Sequence, residues 1–309
     1  VTNPDHESWK WVDMPKVGKK EHHLIPISGK DSLATGIIQT MSYPRDDYVF
    51  FFNDTGSELE ETYDWLKRVE ETQGWVIQRI GQNLQNKIES YQGFIPSHQS
   101  RYCTRECKIL PMKDFYDKLP GEKFVYYGLR ADEDRPGLIP FPGWLPKYPL
   151  VEGGIGLELV MQIVRKVNLK PPTFFWKRLH DTVDENLSYM DKEWRRIIDD
   201  WVFDLLFSGR TRSNCFHCFY QRQYEWLWLL ETKPDLYEIS ERMETEDFTH
   251  SSGMALKELR TNSKLQRKIF DRRAKLVTKG IWSLLDGQKT MKSFDNEIAR
   301  VSCGLLCGK

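Results

Sequence analysis

The chain has 309 residues, enough for one large α/β domain with a helical addition or for two domains. Lys plus Arg and Asp plus Glu both total 45, so the zero net charge indicates no particular class of partner. No apolar run approaches the roughly 18 residues needed to span a bilayer, and the N-terminus lacks a charged-then-apolar signal pattern. We therefore expect a cytoplasmic protein without membrane association.

The first part of the chain alternates apolar runs with helical patterns. The runs at 23–27, 48–52 and 75–80 predict strands, and the stretches between them carry apolar residues at helical spacing. This alternation predicts an α/β fold with a doubly wound, mostly parallel sheet, whose ligands bind beyond the carboxyl ends of the strands. We divide the chain into an N-terminal extension (1–20), a nucleotide-binding α/β domain (21–176) and a helical region (177–309).

The turn after the first predicted strand leads directly into a helix. Its residues are Ser28, Gly29, Lys30, Asp31 and Ser32. Backbone N–H groups at such a turn point toward one spot, where the helix dipole favours an anion. Gly29 allows a phosphate to approach the backbone and Lys30 adds a positive charge. The turn therefore predicts a nucleotide phosphate site, although an ordinary helix N-cap has the same pattern.

Two further turns follow predicted strands. Asp54, Thr55 and Gly56 come directly after the second strand, and we expect adenine to lie beside this turn. The segment 128–135 follows a strand predicted at 124–127 and contains Arg130 and Arg135, which suit phosphate or sulfate oxygens. The alternative for this segment is a surface loop of salt bridges.

The cysteines form three close pairs in the sequence. They are Cys103 with Cys107, Cys215 with Cys218, and Cys303 with Cys307. Four thiolates from two pairs suit an iron–sulfur cluster or a tetrahedral zinc ion. Buried free cysteines that act as small apolar residues are the alternative.

Together these motifs, in this order over residues 23 to about 220, resemble the phosphoadenosine phosphosulfate (PAPS) reductase-like family of PP-loop ATP pyrophosphatases. Within that family, which has an adenine nucleotide alpha hydrolase-like (HUP-type) fold, the cysteine pattern is nearest to the Dnd-type DNA phosphorothioation enzymes and their phage relatives. The resemblance implies ATP, Mg²⁺ and an iron–sulfur cluster on Cys103, Cys107, Cys215 and Cys218, with Zn²⁺ as the alternative metal. Cys303 or Cys307 is an alternative fourth ligand to Cys107.

The resemblance also implies a reaction. Lys30, Asp31, Arg130 and Arg135 are its candidate catalytic residues, and the substrate is adenylated for sulfur transfer. A cysteine desulfurase or thioredoxin is a candidate sulfur donor. A basic segment, with nine basic and two acidic residues between 257 and 279, predicts nucleic acid as the substrate. Its alternative is a solvated face paired with the acidic segment 225–247.

Two other functions remain open at this stage. The C-terminal Cys303-Gly304-Leu305 resembles part of the tail of sulfonucleotide reductases, in which a cysteine attacks the sulfur of APS or PAPS. The loop that opens with Ile27 and Ser28 departs from the usual family pattern, and this departure favours a non-catalytic nucleotide-binding partner subunit.

Overall fold

The structure is a computed structural model that describes residues 21–134, 141–187, 194–251 and 253–285. The described residues form two compact units. The sheet unit comprises residues 21–91, 101–134 and 141–172, and the helical unit comprises residues 92–100, 173–187, 194–251 and 253–285. No helix in these described stretches is both long enough and apolar enough to cross a membrane.

The sheet unit is built on five parallel strands in the order β3-β2-β1-β4-β5. The strands are β1 (Glu21–Pro26), β2 (Tyr48–Asn53), β3 (Ile77–Ile80), β4 (Glu122–Tyr126) and β5 (Trp144–Lys147). This order confirms the predicted doubly wound α/β fold. Because the chain moves outward from β1 to β3 and then returns to add β4 on the other side, β1 and β4 flank the topological switch point of the sheet.

Helices follow the strands in the sheet unit. They are α1 (Lys30–Ser42), α2 (Glu60–Gln73), α3 (Leu84–Ser90), α4 (Tyr102–Thr104), a π-helical turn (Arg105–Ile109), α5 (Leu110–Asp117), α6 (Pro149–Glu152) and α7 (Leu157–Lys166). The first turn of α2 carries the acidic residues Glu60 and Glu61, and Ser57 and Glu58 are buried in the loop that precedes it.

Successive residues of the inner strands face opposite sides of the sheet, as the period of two requires. Ile25 packs in one apolar cluster with residues of α1, α2 and α7, while Leu24 packs in a second cluster with residues of α5. Both residues are fully buried. The sheet is thus covered on both faces, and its carboxyl edge is the place left for a ligand.

The helical unit contains the second half of the chain. Its helices are α8 (Lys177–Asn186), α9 (Trp194–Ile197), α10 (Asp200–Leu206), α11 (Gln223–Thr232), α12 (Pro234–Met243), α13 (Leu256–Thr261) and α14 (Ser263–Leu285). Fully buried Trp226, Leu229 and Val277 belong to its core, in which α11 and α14 pack together. A helical C-terminal region was predicted and is present.

Candidate functional site

The loop after β1 forms an open turn at the carboxyl edge of the sheet. Ser28 is exposed, whereas Ser32 is 7% exposed. The Ser32 hydroxyl oxygen accepts hydrogen bonds from the N–H groups of Ser28, at 2.9 Å, and Gly29, at 3.1 Å. Two backbone donors therefore converge on one oxygen position, as they do in anion-binding nests.

The first turn of α1 adds further donors to this position. The N–H groups of Lys30, Asp31 and Ser32 have no acceptor inside the helix, because the first intrahelical bond runs from Leu33 N–H to Gly29 O at 2.9 Å. A Cβ atom placed on Gly29 would meet no atom within 4 Å. The space beside Gly29 is open, so a phosphate can approach this backbone.

Lys30 and Asp31 are both half-buried and lie side by side at the start of α1. The Lys30 ammonium is 3.3 Å from the Asp31 carboxylate. Both residues belong to the first turn of α1, directly after the Ser28 turn. A cation and a carboxylate at this position suit phosphate and metal binding, respectively.

The loop after β4 packs directly on this turn. A Cβ atom on Gly128 would lie only 2.6 Å from the Ser32 nitrogen and 2.7 Å from the Asp31 carbonyl carbon. Because both contacts are with backbone atoms, only glycine fits at this position without moving α1. The two loops that flank the topological switch point are therefore in contact at residue 128.

Arg130 is buried, at 5% exposure, among three carboxylates of the same site. Its guanidinium donates to Asp132 at 2.9 Å, lies 3.3 Å from Asp31 and lies 3.9 Å from Glu133. The Arg130 N–H also donates to Glu133 Oε2 at 3.2 Å. Arg130 thus holds carboxylates of α1 and of the loop after β4. Salt bridges were the alternative given for this segment, but Arg130 is buried rather than at the surface.

The pKa of Asp132 reflects this arrangement. Burial alone raises the pKa of a carboxyl group, but the hydrogen bond and charge of Arg130 outweigh burial, so the pKa of Asp132 lies below its ordinary value. The Asp132 carboxylate also accepts the N–H of Leu157 at 3.3 Å, at the start of α7. Asp132 therefore stays ionised at neutral pH and anchors the β4 loop.

The turn after β2 is held by hydrogen bonds and is largely buried. Asp54 Oδ1 accepts the Gly56 N–H at 2.7 Å and the Tyr63 hydroxyl at 2.8 Å. Thr55 is fully buried, and its carbonyl oxygen accepts the Leu84 N–H at 2.9 Å. This turn follows β2, the neighbour of β1 in the sheet, so it borders the Ser28 loop at the same edge.

Asn53 is a candidate site residue that the sequence analysis did not single out. It ends β2, is 3% exposed, and neither its amide oxygen nor its amide nitrogen has a hydrogen-bond partner. Unpaired buried amides are costly, and those that persist in a native structure call for an explanation such as a ligand or a water molecule. The available signal was a polar residue at the end of an otherwise apolar strand.

Cys103 and Cys107 lie in the sheet unit, on the helical segment that leads into α5. Residues Arg105–Ile109 form a π-helical turn, and the Cys107 carbonyl accepts the Gln82 N–H at 3.1 Å. Pro111 explains this geometry, because it offers no N–H to the carbonyl four residues earlier and its ring crowds that carbonyl. Burial, and then the neighbouring Cys103, raises the pKa of the fully buried Cys107 thiol to about 12.

Cys215 and Cys218 lie in the helical unit, in a tight loop before α11. The Cys218 N–H donates to the Cys215 carbonyl at 3.1 Å. Buried Arg210 donates to the carbonyl oxygens of Asn214 at 2.9 Å and Cys215 at 3.1 Å, which holds this loop in place. Within the described residues of either unit, no group of three or more His, Cys, Asp or Glu side chains is arranged to hold a metal ion.

Several predicted site residues lie outside the described residues. They are Arg135, Cys303 and Cys307, together with the extension 1–20. The predicted phosphate contact of Arg135 and the predicted roles of the two cysteines stay predictions.

Comparison with known proteins agrees with the geometry of the sheet unit. Residues 22–137 match the phosphoadenosine phosphosulfate reductase domain family. That segment contains the three loops at the carboxyl edge of the sheet and the Cys103–Cys107 pair, while Cys215 and Cys218 lie beyond it. This part of the chain is therefore similar to a PAPS reductase domain.

An uncharacterized protein of Methanocaldococcus jannaschii is 38% identical over 107 residues, which is 34% of this chain. The chain spans only 22% of the length of that relative. No solved structure matches the chain at a significant level.

Proposed function

We propose that this protein is a PAPS reductase-like ATP pyrophosphatase, nearest to the Dnd-type and phage branch, that adenylates a nucleic acid for sulfur transfer. An oxygen atom of the substrate attacks the α-phosphorus of ATP. The bond from the α-phosphorus to the bridging oxygen breaks, pyrophosphate leaves with the electron pair, and the proton of the attacking group passes to water. The terminal sulfur of a persulfide, on a donor such as a cysteine desulfurase, then attacks the atom that bears the adenylated oxygen, and AMP leaves with that oxygen and its electron pair. The two thiols of a thioredoxin reduce the remaining S–S bond, so that the sulfur stays on the substrate.

The observation that carries this proposal is the contact of the two loops at the switch point of the sheet. Arg130 reaches across to Asp31, and the space beside Gly29, two residues before Asp31, is open. Nucleotides bind at this position in doubly wound sheets, with phosphates at the helix N-terminus. The match of residues 22–137 to a PAPS reductase domain supports the same class of ligand.

Each residue of the site then has a physical role. The Ser28–Ser32 turn and Lys30 bind the phosphates, and Lys30 offsets the charge that develops on the leaving pyrophosphate. Arg130 positions Asp31 and the β4 loop, and Arg135 contributes a second phosphate contact. Asn53, with the turn formed by Asp54, Thr55 and Gly56, borders the adenine, whose edge an amide side chain can pair with in bidentate fashion.

We propose that magnesium binds beside the phosphates of the nucleotide. The carboxylates of Asp31 and Glu133 are of the type that holds Mg²⁺, directly or through water. When bound, the ion neutralises phosphate charge.

For the cysteines we propose an iron–sulfur cluster, with zinc as the alternative. Two close pairs of thiols, one on a helical turn and one in a tight loop, are a soft donor set that suits both. Anaerobic purification followed by iron, sulfide and zinc analysis separates them. We expect iron and sulfide in the wild type and their loss in Cys215→Ser, whereas stoichiometric zinc without iron contradicts the cluster.

The identity of the fourth thiolate is open to the same analysis. Cys107→Ser should lose the metal while Cys303→Ser keeps it. The reverse result assigns the fourth ligand to the C-terminal tail.

The adenylation proposal is tested by pyrophosphate release. The full chain is incubated with ATP, magnesium and oligonucleotides, and the oligonucleotide is analysed by mass spectrometry for an added adenylyl group. Lys30→Ala should slow pyrophosphate release by about 10²- to 10³-fold, the usual effect of losing one charge-stabilising donor. Lys67→Ala, an exposed lysine of α2, is the matched control and should leave the rate unchanged. Equal rates in both variants would falsify the site assignment.

A second candidate function is sulfonucleotide reduction, which the PAPS reductase domain match favours. In that reaction the Cys303 thiolate attacks the sulfur of APS or PAPS, the S–O bond breaks, and AMP or its 3′-phosphate leaves with the oxygen. A thioredoxin thiol then attacks the sulfur of Cys303 and releases sulfite, and the second thioredoxin thiol cleaves the mixed disulfide. Sulfite release that requires thioredoxin and Cys303, without pyrophosphate release from ATP, supports this function. ATP binding without either product supports a non-catalytic partner subunit.

A further inference from the structure

Helix α14 carries a row of cations along one face. The row consists of Lys264, Lys268, Arg272, Lys275 and Lys279, all of which are exposed. Since successive helical residues turn by about 100°, these five side chains fall within an arc of roughly 80° and span roughly 22 Å. The opposite face of the helix carries Ile269, Phe270 and Val277, which are buried in the core of the helical unit.

The cationic row forms no ion pair with a carboxylate among the described residues, and one exposed carboxylate, Asp271, lies on the same side of α14. Carboxylates of the acidic segment 225–247 accept hydrogen bonds from other groups of the helical unit. Glu225 accepts the Thr211 N–H, Glu231 accepts the Trp176 indole N–H, and Glu244 accepts the Leu256 N–H. From the basic segment 257–279, Arg260 pairs with Glu241 at 2.8 Å. The row therefore keeps its positive charge toward solvent.

A large aromatic side chain stands at one end of the row. Trp282 is 39% exposed, and it lies about five helical turns after Lys264, so the two point in the same direction. Trp282 lines a surface groove together with Lys275, Lys279 and Asn186. An exposed indole beside two ammonium groups offers a flat apolar surface next to phosphate-binding charge.

We propose that the cationic row and Trp282 bind single-stranded nucleic acid. This inference rests on the proposed function for its use of nucleic acid as the substrate, and it adds the strand type and the surface. The lysines and Arg272 contact successive phosphates, while an unpaired base stacks on the Trp282 ring. A duplex satisfies the cations but keeps its bases stacked inside, so it gains nothing from the indole.

Fluorescence anisotropy of the full chain with a labelled oligothymidylate and with a duplex of equal length, at several salt concentrations, tests this surface. We expect tighter binding of the single strand. Arg272→Gln should weaken binding and reduce the slope of log affinity against log salt concentration by about 0.7, the contribution of one phosphate contact on a single strand. Trp282→Ala should weaken binding by about 5- to 100-fold and leave that slope unchanged, because stacking releases no counterions.

Two matched controls accompany these variants. Leu276→Ala removes a side chain of the same helix with 40% exposure that points about 120° away from Trp282. Lys67→Gln removes an exposed cation from the sheet unit. Both should bind the single strand as the wild type does, and thermal unfolding checks that every variant is folded.

Equal affinity for the duplex, or wild-type binding by Trp282→Ala, overturns the inference. ATP binding, measured in the same variants, should not change. If the protein binds the single strand but releases no pyrophosphate from ATP, the proposed function is wrong and the binding surface is supported. If it releases pyrophosphate but the Trp282 and Arg272 variants bind the strand as the wild type does, the proposed function is supported and the binding surface is wrong.

Discussion

The Arg130 guanidinium lies 3.3 Å from the Asp31 carboxylate, although 99 positions separate the two residues in the chain. This ion pair links the loop after β4 to the first turn of α1, the two segments that border the switch point of the sheet. Arg130 is 6% exposed in its side chain and Asp31 is 22% exposed, so the pair is only weakly screened by solvent. The charge balance of the site and its geometry depend on the same arginine.

Arg130→Ala should destabilise the protein by about 3–5 kcal/mol, because it leaves carboxylates without their buried partner. Urea unfolding measures this loss. The control is Arg45→Ala, which breaks an exposed pair with Asp47 and should cost at most about 1 kcal/mol. Losses of equal size in the two variants contradict the structural role of Arg130. Arg130→Lys keeps the charge but lacks the planar fork, and should retain part of the stability.

Two glycines of the site are predicted to respond in opposite ways to alanine. Gly29 faces open space and has φ 174°, an extended conformation that alanine adopts, so Gly29→Ala should leave the melting temperature unchanged. Its Cβ atom occupies the space beside the turn, so ATP affinity should fall. Gly128→Ala should lower the melting temperature, since its Cβ atom meets backbone atoms of Ser32 and Asp31. Calorimetry of unfolding and of ATP binding checks both, and a stable Gly128→Ala variant with normal ATP affinity counts against the loop contact.

The strands and the loops that end them were predictable from local patterns. The apolar run 48–52 appears as β2, Tyr48–Asn53, and the turn at Ser28 leads into α1 as the small polar residues indicate. These features depend on neighbouring residues, so periodicity and turn composition suffice. The run at 75–80 contributes a shorter strand, Ile77–Ile80, whose first residue donates its N–H to the Glu70 side chain.

The partners of the site residues were not predictable in this way. Arg130 was expected to contact an anion of the ligand, with a surface loop of salt bridges as the alternative, and in the structure it lies buried among three carboxylates of the protein. The Cys107 carbonyl, which Pro111 leaves without its helical donor, likewise accepts the N–H of Gln82, which belongs to a different loop. Such contacts join residues far apart in the sequence, and a single chain without aligned relatives carries no signal for them.

Asn53 offers a test of whether the site is built for adenine. Replacing an unpaired buried amide by an apolar side chain of similar size removes a desolvation cost, so Asn53→Leu should stabilise the protein by about 1–3 kcal/mol. The same change should weaken ATP binding and reduce the preference for ATP over GTP, because the amide that pairs with the adenine edge is lost. Urea unfolding and calorimetric titration with both nucleotides measure the two effects.

Thr62→Val is the matched control for Asn53. Thr62 is 1% exposed in α2, and its hydroxyl also has no partner. Its replacement should stabilise the protein without any change in nucleotide affinity. If the Asn53→Leu variant also binds both nucleotides with wild-type affinity, Asn53 does not contact the nucleotide.

The stability of the helical unit should depend on the protonation of His250. The side chain is 2% exposed, its Nε2 bonds to the Ser240 carbonyl at 3.1 Å, and its Nδ1 has no partner. Burial lowers the pKa of His250 to about 4, against an ordinary value of about 6.5 in an unfolded chain. Between these two values the unfolded chain binds a proton that the folded chain excludes, so the stability present above pH 6.5 is lost as the pH falls.

We expect this single group to remove up to about 3 kcal/mol of stability between pH 6.5 and pH 4. His250→Gln keeps an amide N–H for the Ser240 carbonyl but does not titrate, so its stability should fall less steeply over the same range. Urea unfolding of both proteins at pH 7, 6 and 5 measures the difference. Burial also lowers the pKa of His217, to about 3, and this residue contributes equally to the pH dependence of both proteins. Parallel curves for the two proteins would mean that His250 is protonated as easily in the folded chain as in the unfolded one, and that its site admits water.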